Sequence, residues 1–265
     1  MNKRTLLNLG IFLISLAIIF YFIVFDFKSF LYQLNGFGNI FQIIRVNGIF
    51  LIIFSLLALY SFGIIHELSH WLSSKLAGYK NRAIGLFGLG IGGLFVDPNL
   101  PPTDKLNFAL MASYGSILPL ALGILTYLIV YHFTFWILAF GNLIHPITFW
   151  FQFYLVNFIL IGIILGLFNL FPVIIGTDGY QIIKTNFNNK KAILSIMLIS
   201  SFIVFYLLSF LIPISLITII VFSVLLILNN IVMIYLDKKL SDFDSTKVSK
   251  GWHFRKSGLM IYYRF

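Results

Sequence analysis

The chain has no cysteine, and only one of its 265 residues, Glu67, is a glutamate. Without thiols it can form neither disulfides nor thiolate metal sites, and cysteine usage leaves its redox compartment undetermined. Charge is scarce too. Asp, Glu, Lys and Arg make up 10% of the residues, whereas a soluble domain averages about 25%. With 60% hydrophobic residues and a mean hydropathy of +1.01, the composition excludes an ordinary soluble domain and indicates an integral membrane protein. The net charge of +10 does not point to nucleic acid. In a membrane protein Lys and Arg mainly fix topology.

Six apolar segments, near 5–25, 49–77, 106–131, 148–171, 192–212 and 214–236, each reach the roughly 20 residues that a spanning helix needs. The first reads as a retained anchor: its apolar run is too long for a signal peptide, and no small-residue cleavage site follows. Residues 29–47 read as an amphipathic segment lying on the outer surface. With the N-terminus inside, Lys3, Arg4, Lys75, Lys80, Arg82, Lys105, Lys184, Lys190 and Lys191 all fall on the cytoplasmic side, and only Lys28 and Arg45 fall outside. The expectation is a multi-pass cell-membrane protein with both termini cytoplasmic. It divides into an anchor and outer segment at 1–48, a membrane core at 49–185, two further spans at 186–236 and a basic tail at 237–265. Adhesion to anionic lipid is the plain explanation of that tail.

Inside the second span stands His66-Glu67-Leu68-Ser69-His70. Ionisable groups are costly in such a segment, which makes them functional candidates; the bland alternative is a polar cluster at a helix end. On a helix this spacing puts both imidazoles on one face, one turn apart, where they can hold one zinc ion, with Glu67 as general base toward water. The helix is expected to begin near Ile49 and stop at Gly78, a suitable left-handed C-cap.

Catalytic zinc usually takes a third protein ligand. His132 and His145 are placed in the external 132–147 loop, His253 in the tail, Asp26 outside, and Asp237, Asp242 and Asp244 beyond the last span. Asp97, Asp104 and Asp178 remain. Asp97 and Asp104 flank prolines and read as turn residues. Asp178 follows a span that carries Asn157 and Asn169 and breaks at Pro172. Non-helical backbone at membrane depth is tolerated only when buried in protein or lining a wet cavity, so Asp178 is the preferred ligand; a solvated Asp in an interfacial turn is the alternative.

A membrane-embedded HExxH, followed after an intervening span by Asn169-Leu170-Phe171-Pro172 and then Asp178-Gly179, resembles the site-2 protease family of intramembrane zinc metalloproteases. The resemblance covers residues 49–185. It implies an all-α polytopic fold around a three-helix catalytic core, formed here by the second to fourth spans. It further implies one zinc ion held by His66, His70 and Asp178, with Glu67 as base and Asn169 handling substrate. The activity implied is hydrolysis of membrane-embedded or membrane-associated peptides near the cytoplasmic face. Two departures stand out. Five residues separate Pro172 from Asp178 where the family usually has four, and Ala112-Ser113-Tyr114-Gly115-Ser116 replaces an Ala-Gly-Pro-like stretch. Two non-catalytic readings compete: a zinc transporter or sensor, and a degenerate protease homologue. Ionisable residues gathered at one end of the spans, rather than along a path through them, favour the enzyme.

Gly88-Leu89-Gly90-Ile91-Gly92-Gly93 matches the dinucleotide fingerprint formally but lacks its βαβ setting. The alternation over Ile84–Val96 suits a hairpin or re-entrant strand beside the site, with a flexible loop as the equal alternative. A strand edge there could take substrate by strand addition. Asn157, Asn229 and Asn230 read as interhelical hydrogen-bonding residues.

Overall fold

Long runs of Leu, Ile, Phe and Val become helices in a lipid setting because a helix satisfies its own backbone polar groups. The computed structural model describes residues 3–44, 48–87, 93–98, 104–140, 146–174, 177–187, 189–209, 216–240, 249–255 and 260–264. Its helices are α1 (Lys3–Tyr21), α2 (Phe27–Ile44), α3 (Gly48–Leu76), α4 (Lys105–Phe140), α5 (Pro146–Leu170), α6 (Asp178–Asn186), α7 (Lys190–Leu208) and α8 (Leu216–Leu240). Among the described residues, five stretches are long and apolar enough to cross a membrane: Lys3–Gly36, Ile49–Leu76, Lys105–Tyr131, Trp150–Leu170 and Lys191–Leu208. The sixth expected span is shorter on this measure, with an apolar stretch of Ile217–Leu228 within α8.

Two segments expected between spans are helical over their described parts. Residues 29–44 belong to α2, into which α1 continues through a π-helical turn at Phe22–Asp26, and 45–47 lie outside the described residues. That junction packs inward. Phe22 and Phe30 meet Tyr127 of α4 edge-to-face, with ring centroids 6.1 and 5.9 Å away, and share a core cluster with Phe153 and Ile159 of α5. The 132–147 segment is helical as far as Phe140, and α5 begins at Pro146.

The chain is also not purely helical. Strands β1 (Asn81–Phe87), β2 (Gly93–Pro98), β3 (Gly251–Arg255) and β4 (Met260–Arg264) form one antiparallel sheet in the order β2-β1-β4-β3. The hairpin expected around Ile84–Val96 is present, with those two residues paired, while 88–92 lie outside the described residues. Asp97 pairs with Ala83 inside β2, so it is a strand residue and not a turn residue. The tail, expected only as a lipid-adhesive segment, adds a second hairpin that pairs Tyr263 with both Ile84 and Trp252. Trp252 and Phe254 in β3 and Ile261, Tyr262 and Tyr263 in β4 are residue types that favour a pleated ribbon despite the tail's charge.

Helices α3, α4 and α5 pack mutually, and α1 lies against α3 and α4. A buried polar network fastens α1. The Asn8 amide donates to Ser73 Oγ at 3.1 Å, the Tyr114 hydroxyl donates to the Asn8 carbonyl at 2.6 Å, and the Asn107 amide donates to Thr5 Oγ1 at 3.2 Å. Asn107 and Tyr79 also donate to Asp104 at the start of α4, each at 2.8 Å. Asn157 and Asn230 bond between elements as expected. Ser55 donates to Asn157 Oδ1 at 3.4 Å, and Asn230 Nδ2 donates to the Val173 carbonyl at 2.6 Å.

Two predictions follow from this network. Asn8→Ala strips partners from Ser73 in an apolar setting and should cost about 1 kcal/mol in reversible unfolding, the usual scale for interhelical hydrogen bonds in membranes. The hydrogen bond from Asn107 holds the Asp104 carboxyl below its ordinary pKa of 3.8; burial opposes this, and Tyr79 adds to it. A depressed folded pKa stabilises the protein above 3.8, and that contribution disappears as pH falls through the folded value. The melting midpoint should therefore drop more between pH 5 and 3 in the wild type than in Asp104→Asn. Equal drops would remove Asp104 from the network.

Candidate metal centre

Helix α3 carries His66, Glu67 and His70 and ends as expected at Gly78, whose φ is +92°. The N–H groups of Gly78 and Tyr79 bond back to the carbonyls of Lys75 and Ser74, closing a Schellman cap. The two imidazoles present their Nε2 atoms toward one point, 3.2 Å apart. Asp178 is brought to the same point, although 108 residues separate it from His70. Its Oδ2 lies 3.6 Å from His66 Nε2 and 3.4 Å from His70 Nε2.

Those three edges are informative. Tetrahedral ligands 2.0–2.1 Å from a zinc-sized ion stand about 3.3–3.4 Å from one another. The His66–His70–Asp178 triangle has that size. Glu67 also belongs to a group of donor atoms that can hold a metal, with His66 and His70 all within 4.8 Å. Its carboxylate is more loosely placed, 3.9 Å from His66 Nε2, and its side chain is 21% exposed against 9% for His70. The tighter triangle suits direct ligation, and the more open Glu67 suits a group that works on water beside it.

The tautomers agree with this division. His70 Nδ1 lies 2.7 Å from the Met111 carbonyl of α4. A carbonyl only accepts, so Nδ1 carries the proton and Nε2 is left with its lone pair facing the cluster. One turn earlier on the antiparallel helix pair, His66 hydrogen-bonds to the Gly115 backbone. That carbonyl is free to accept because Pro119, four residues on, has no N–H to give it. Three acceptor atoms therefore converge, and an amide donor already meets two of them. Asn169 Nδ2 is 2.5 Å from Asp178 Oδ2 and 3.1 Å from His66 Nε2.

Two glycines permit the convergence. A Cβ on Gly115 would lie 2.5 Å from His70 Nε2 and 2.6 Å from His66 Cε1, so only glycine lets the α4 backbone reach both rings. A Cβ on Gly179 would meet the Leu170 carbonyl oxygen at 2.2 Å. Gly179 thus lets the start of α6 press against the end of α5, and Asn169 then grips Asp178 from both sides: its Oδ1 accepts from the Asp178 N–H at 3.2 Å. Thr177 caps α6. Val173, fully buried among Val204, Phe205, Leu208 and Ile219, anchors the break after Pro172, and Asn230 satisfies its carbonyl.

The five site residues expected from the sequence, His66, Glu67, His70, Asn169 and Asp178, therefore meet in space. Asn169 is a positioning residue for Asp178 in this geometry. The expectation missed Met111, Gly115, Pro119 and Gly179. A signal for two of them was present, since Gly115 and Pro119 stand four residues apart in a helix where each is otherwise unfavourable. Asp104 is taken up by Tyr79 and Asn107.

Gly115→Ala and Gly179→Ala should each weaken metal binding by tenfold or more, measured by competition with a fluorescent chelator. Gly166→Ala, whose Cβ would meet only Ser116 Cβ at 3.7 Å, should bind as the wild type does. Pro119→Ala offers the Gly115 carbonyl a competing donor and should weaken binding within the 10–100-fold scale of such supporting contacts. Full retention in Gly115→Ala would contradict the close approach. No protein-family model, curated protein or solved structure matches this chain, so its function must be argued from the site itself.

Proposed function

We propose that the protein is an intramembrane zinc metalloprotease of the site-2 type, cleaving membrane-embedded or membrane-associated peptides near the cytoplasmic face. The observation that carries this reading is the triangle of His66 Nε2, His70 Nε2 and Asp178 Oδ2, with edges of 3.2, 3.4 and 3.6 Å, beside a lone glutamate. The donor set of two nitrogens and one carboxylate oxygen is one that zinc favours, with a position left for water. When bound, the ion supplies Lewis acidity and a water of lowered pKa.

The chain's own residues supply the rest. Glu67 accepts the proton of the attacking water and returns it to the leaving amine. Asn169 fixes the Asp178 carboxylate so that both histidines and the aspartate keep their spacing. Met111 and Gly115 hold the ring protons on the far side of each imidazole. The surrounding helices restrict access to water, so substrate must present an unwound backbone, because a helical one conceals its carbonyls.

Glu67→Gln should abolish hydrolysis of a dye-labelled single-span peptide in liposomes while metal content stays at one ion per chain. Asp178→Ala should lose both. Cleavage at the wild-type rate by Glu67→Gln would end the general-base assignment. Zinc uptake into sealed liposomes without any cleavage would instead support transport.

A further inference from the structure

The four-stranded sheet has two unlike faces. Residues directly opposite one another on antiparallel strands share a face. Trp252, Tyr263, Ile84 and Val96 therefore stand in one row across all four strands. Phe254, Ile261, Leu86 and Leu94 stand in the next row of that face. Neither row holds a charged residue. The charged residues of the strands, Asp97, Arg255 and Arg264, take register positions on the other face, together with Ala83 and Gly85.

Burial is the reverse of what water would select. Ala83 is 0% exposed and Gly85 is buried, whereas Trp252 is 73% and Ile261 40% exposed. Ile84 and Tyr263 are partly exposed beside them, and the Trp252 and Tyr263 ring centroids are 5.4 Å apart. The open face of a sheet in water is ordinarily polar, so an open apolar one marks an interaction surface.

Position, charge and residue type choose the occupant. Strand β1 begins at Asn81, three residues beyond the Gly78 cap of a spanning helix. A connection of at most about 11 Å therefore tethers the sheet to that edge of the bilayer. Beyond Asp244 the chain holds Lys247, Lys250, Arg255, Lys256 and Arg264 and no acidic residue. Such a cluster beside a span is drawn to anionic headgroups, whereas the same charges repel a second copy of the tail. Trp and Tyr are the side chains that settle at headgroup level.

We infer that the open face of this sheet docks on the anionic phospholipid surface of the leaflet at the motif end of α3, with Trp252 and Ile261 entering it. A tail held by charge alone would adhere anywhere along its basic residues. Here the register adds an apolar face shared with β1 and β2, so the tail and the hairpin after the motif helix dock as one body. The inference does not rest on the hydrolytic reading.

The test uses the full-length chain in lipid nanodiscs, where the lack of native cysteine lets one nitroxide label report at a time. Trp252→Cys and Ile261→Cys place the label on the open face, and His253→Cys places it on the other. In discs of phosphatidylcholine with phosphatidylglycerol, labels at 252 and 261 should prefer collision with oxygen over a water-soluble nickel chelate about tenfold more than the label at 253. Preference for the chelate at 252 and 261 overturns the docking. Exclusion of both reagents there means a protein cover and overturns it as well. Replacing phosphatidylglycerol by phosphatidylcholine should lower the oxygen preference at 261 by at least about threefold. An unchanged preference overturns the choice of anionic lipid. Ile261→Cys leaves the Trp252–Tyr263 ring pair intact, so position 261 decides where the two disagree.

Discussion

Three lone-pair atoms pointed at one spot in an apolar setting repel one another unless a donor or a cation sits among them. His66 Nε2, His70 Nε2 and Asp178 Oδ2 are in that position. Much of the surrounding structure serves to keep them there. The ring protons are held outward by carbonyls of α4, the carboxylate is gripped by Asn169, and the backbones approach where Gly115 and Gly179 have no Cβ. Isolated from this frame, the same side chains would relax apart.

The frame is built from apolar packing punctuated by a few satisfied polar contacts. Helix α3 supplies the two imidazoles, α4 the carbonyls that orient them, and α5 and α6 the paired Asn169 and Asp178. The first helix is bonded to α3 and α4 through Asn8, Ser73 and Tyr114. Helices α7 and α8 lie behind the break at Pro172, where Val173 is buried and Asn230 meets its carbonyl. That support matters because an irregular segment in the hydrocarbon region has backbone groups that lipid cannot satisfy. It also bears on the five residues between Pro172 and Asp178. The grip of Asn169 and the close approach at Gly179 fix the aspartate from the α5 side and the start of α6, independently of the length of that stretch.

The sheet adds an element at the end of α3. Its first hairpin follows the motif helix directly, and the tail hairpin occupies one side of β1. Only β2 and β3 are left as edges, and β2 is the edge that packs near α3. Strand addition by a guest is thereby confined to fewer positions than a bare two-stranded hairpin would offer.

By itself the sequence determined the membrane class, the helical character of each long apolar run, the motif helix with its Gly78 cap, and the five residues gathered at the site. These follow from local physics: hydropathy over a span, the 3.6-residue period that aligns His66 with His70, and the cost of a lone glutamate in apolar surroundings. The union of α1 with α2 escaped it because a π-helical turn leaves no composition signal. The tail hairpin escaped it because pairing between residues about 180 positions apart is not encoded in either segment alone. Tertiary structure alone decided the edge lengths of the His66–His70–Asp178 triangle and the carbonyls that set each imidazole tautomer. Each of these depends on how closely two backbones approach, and that distance is fixed only when the helices pack.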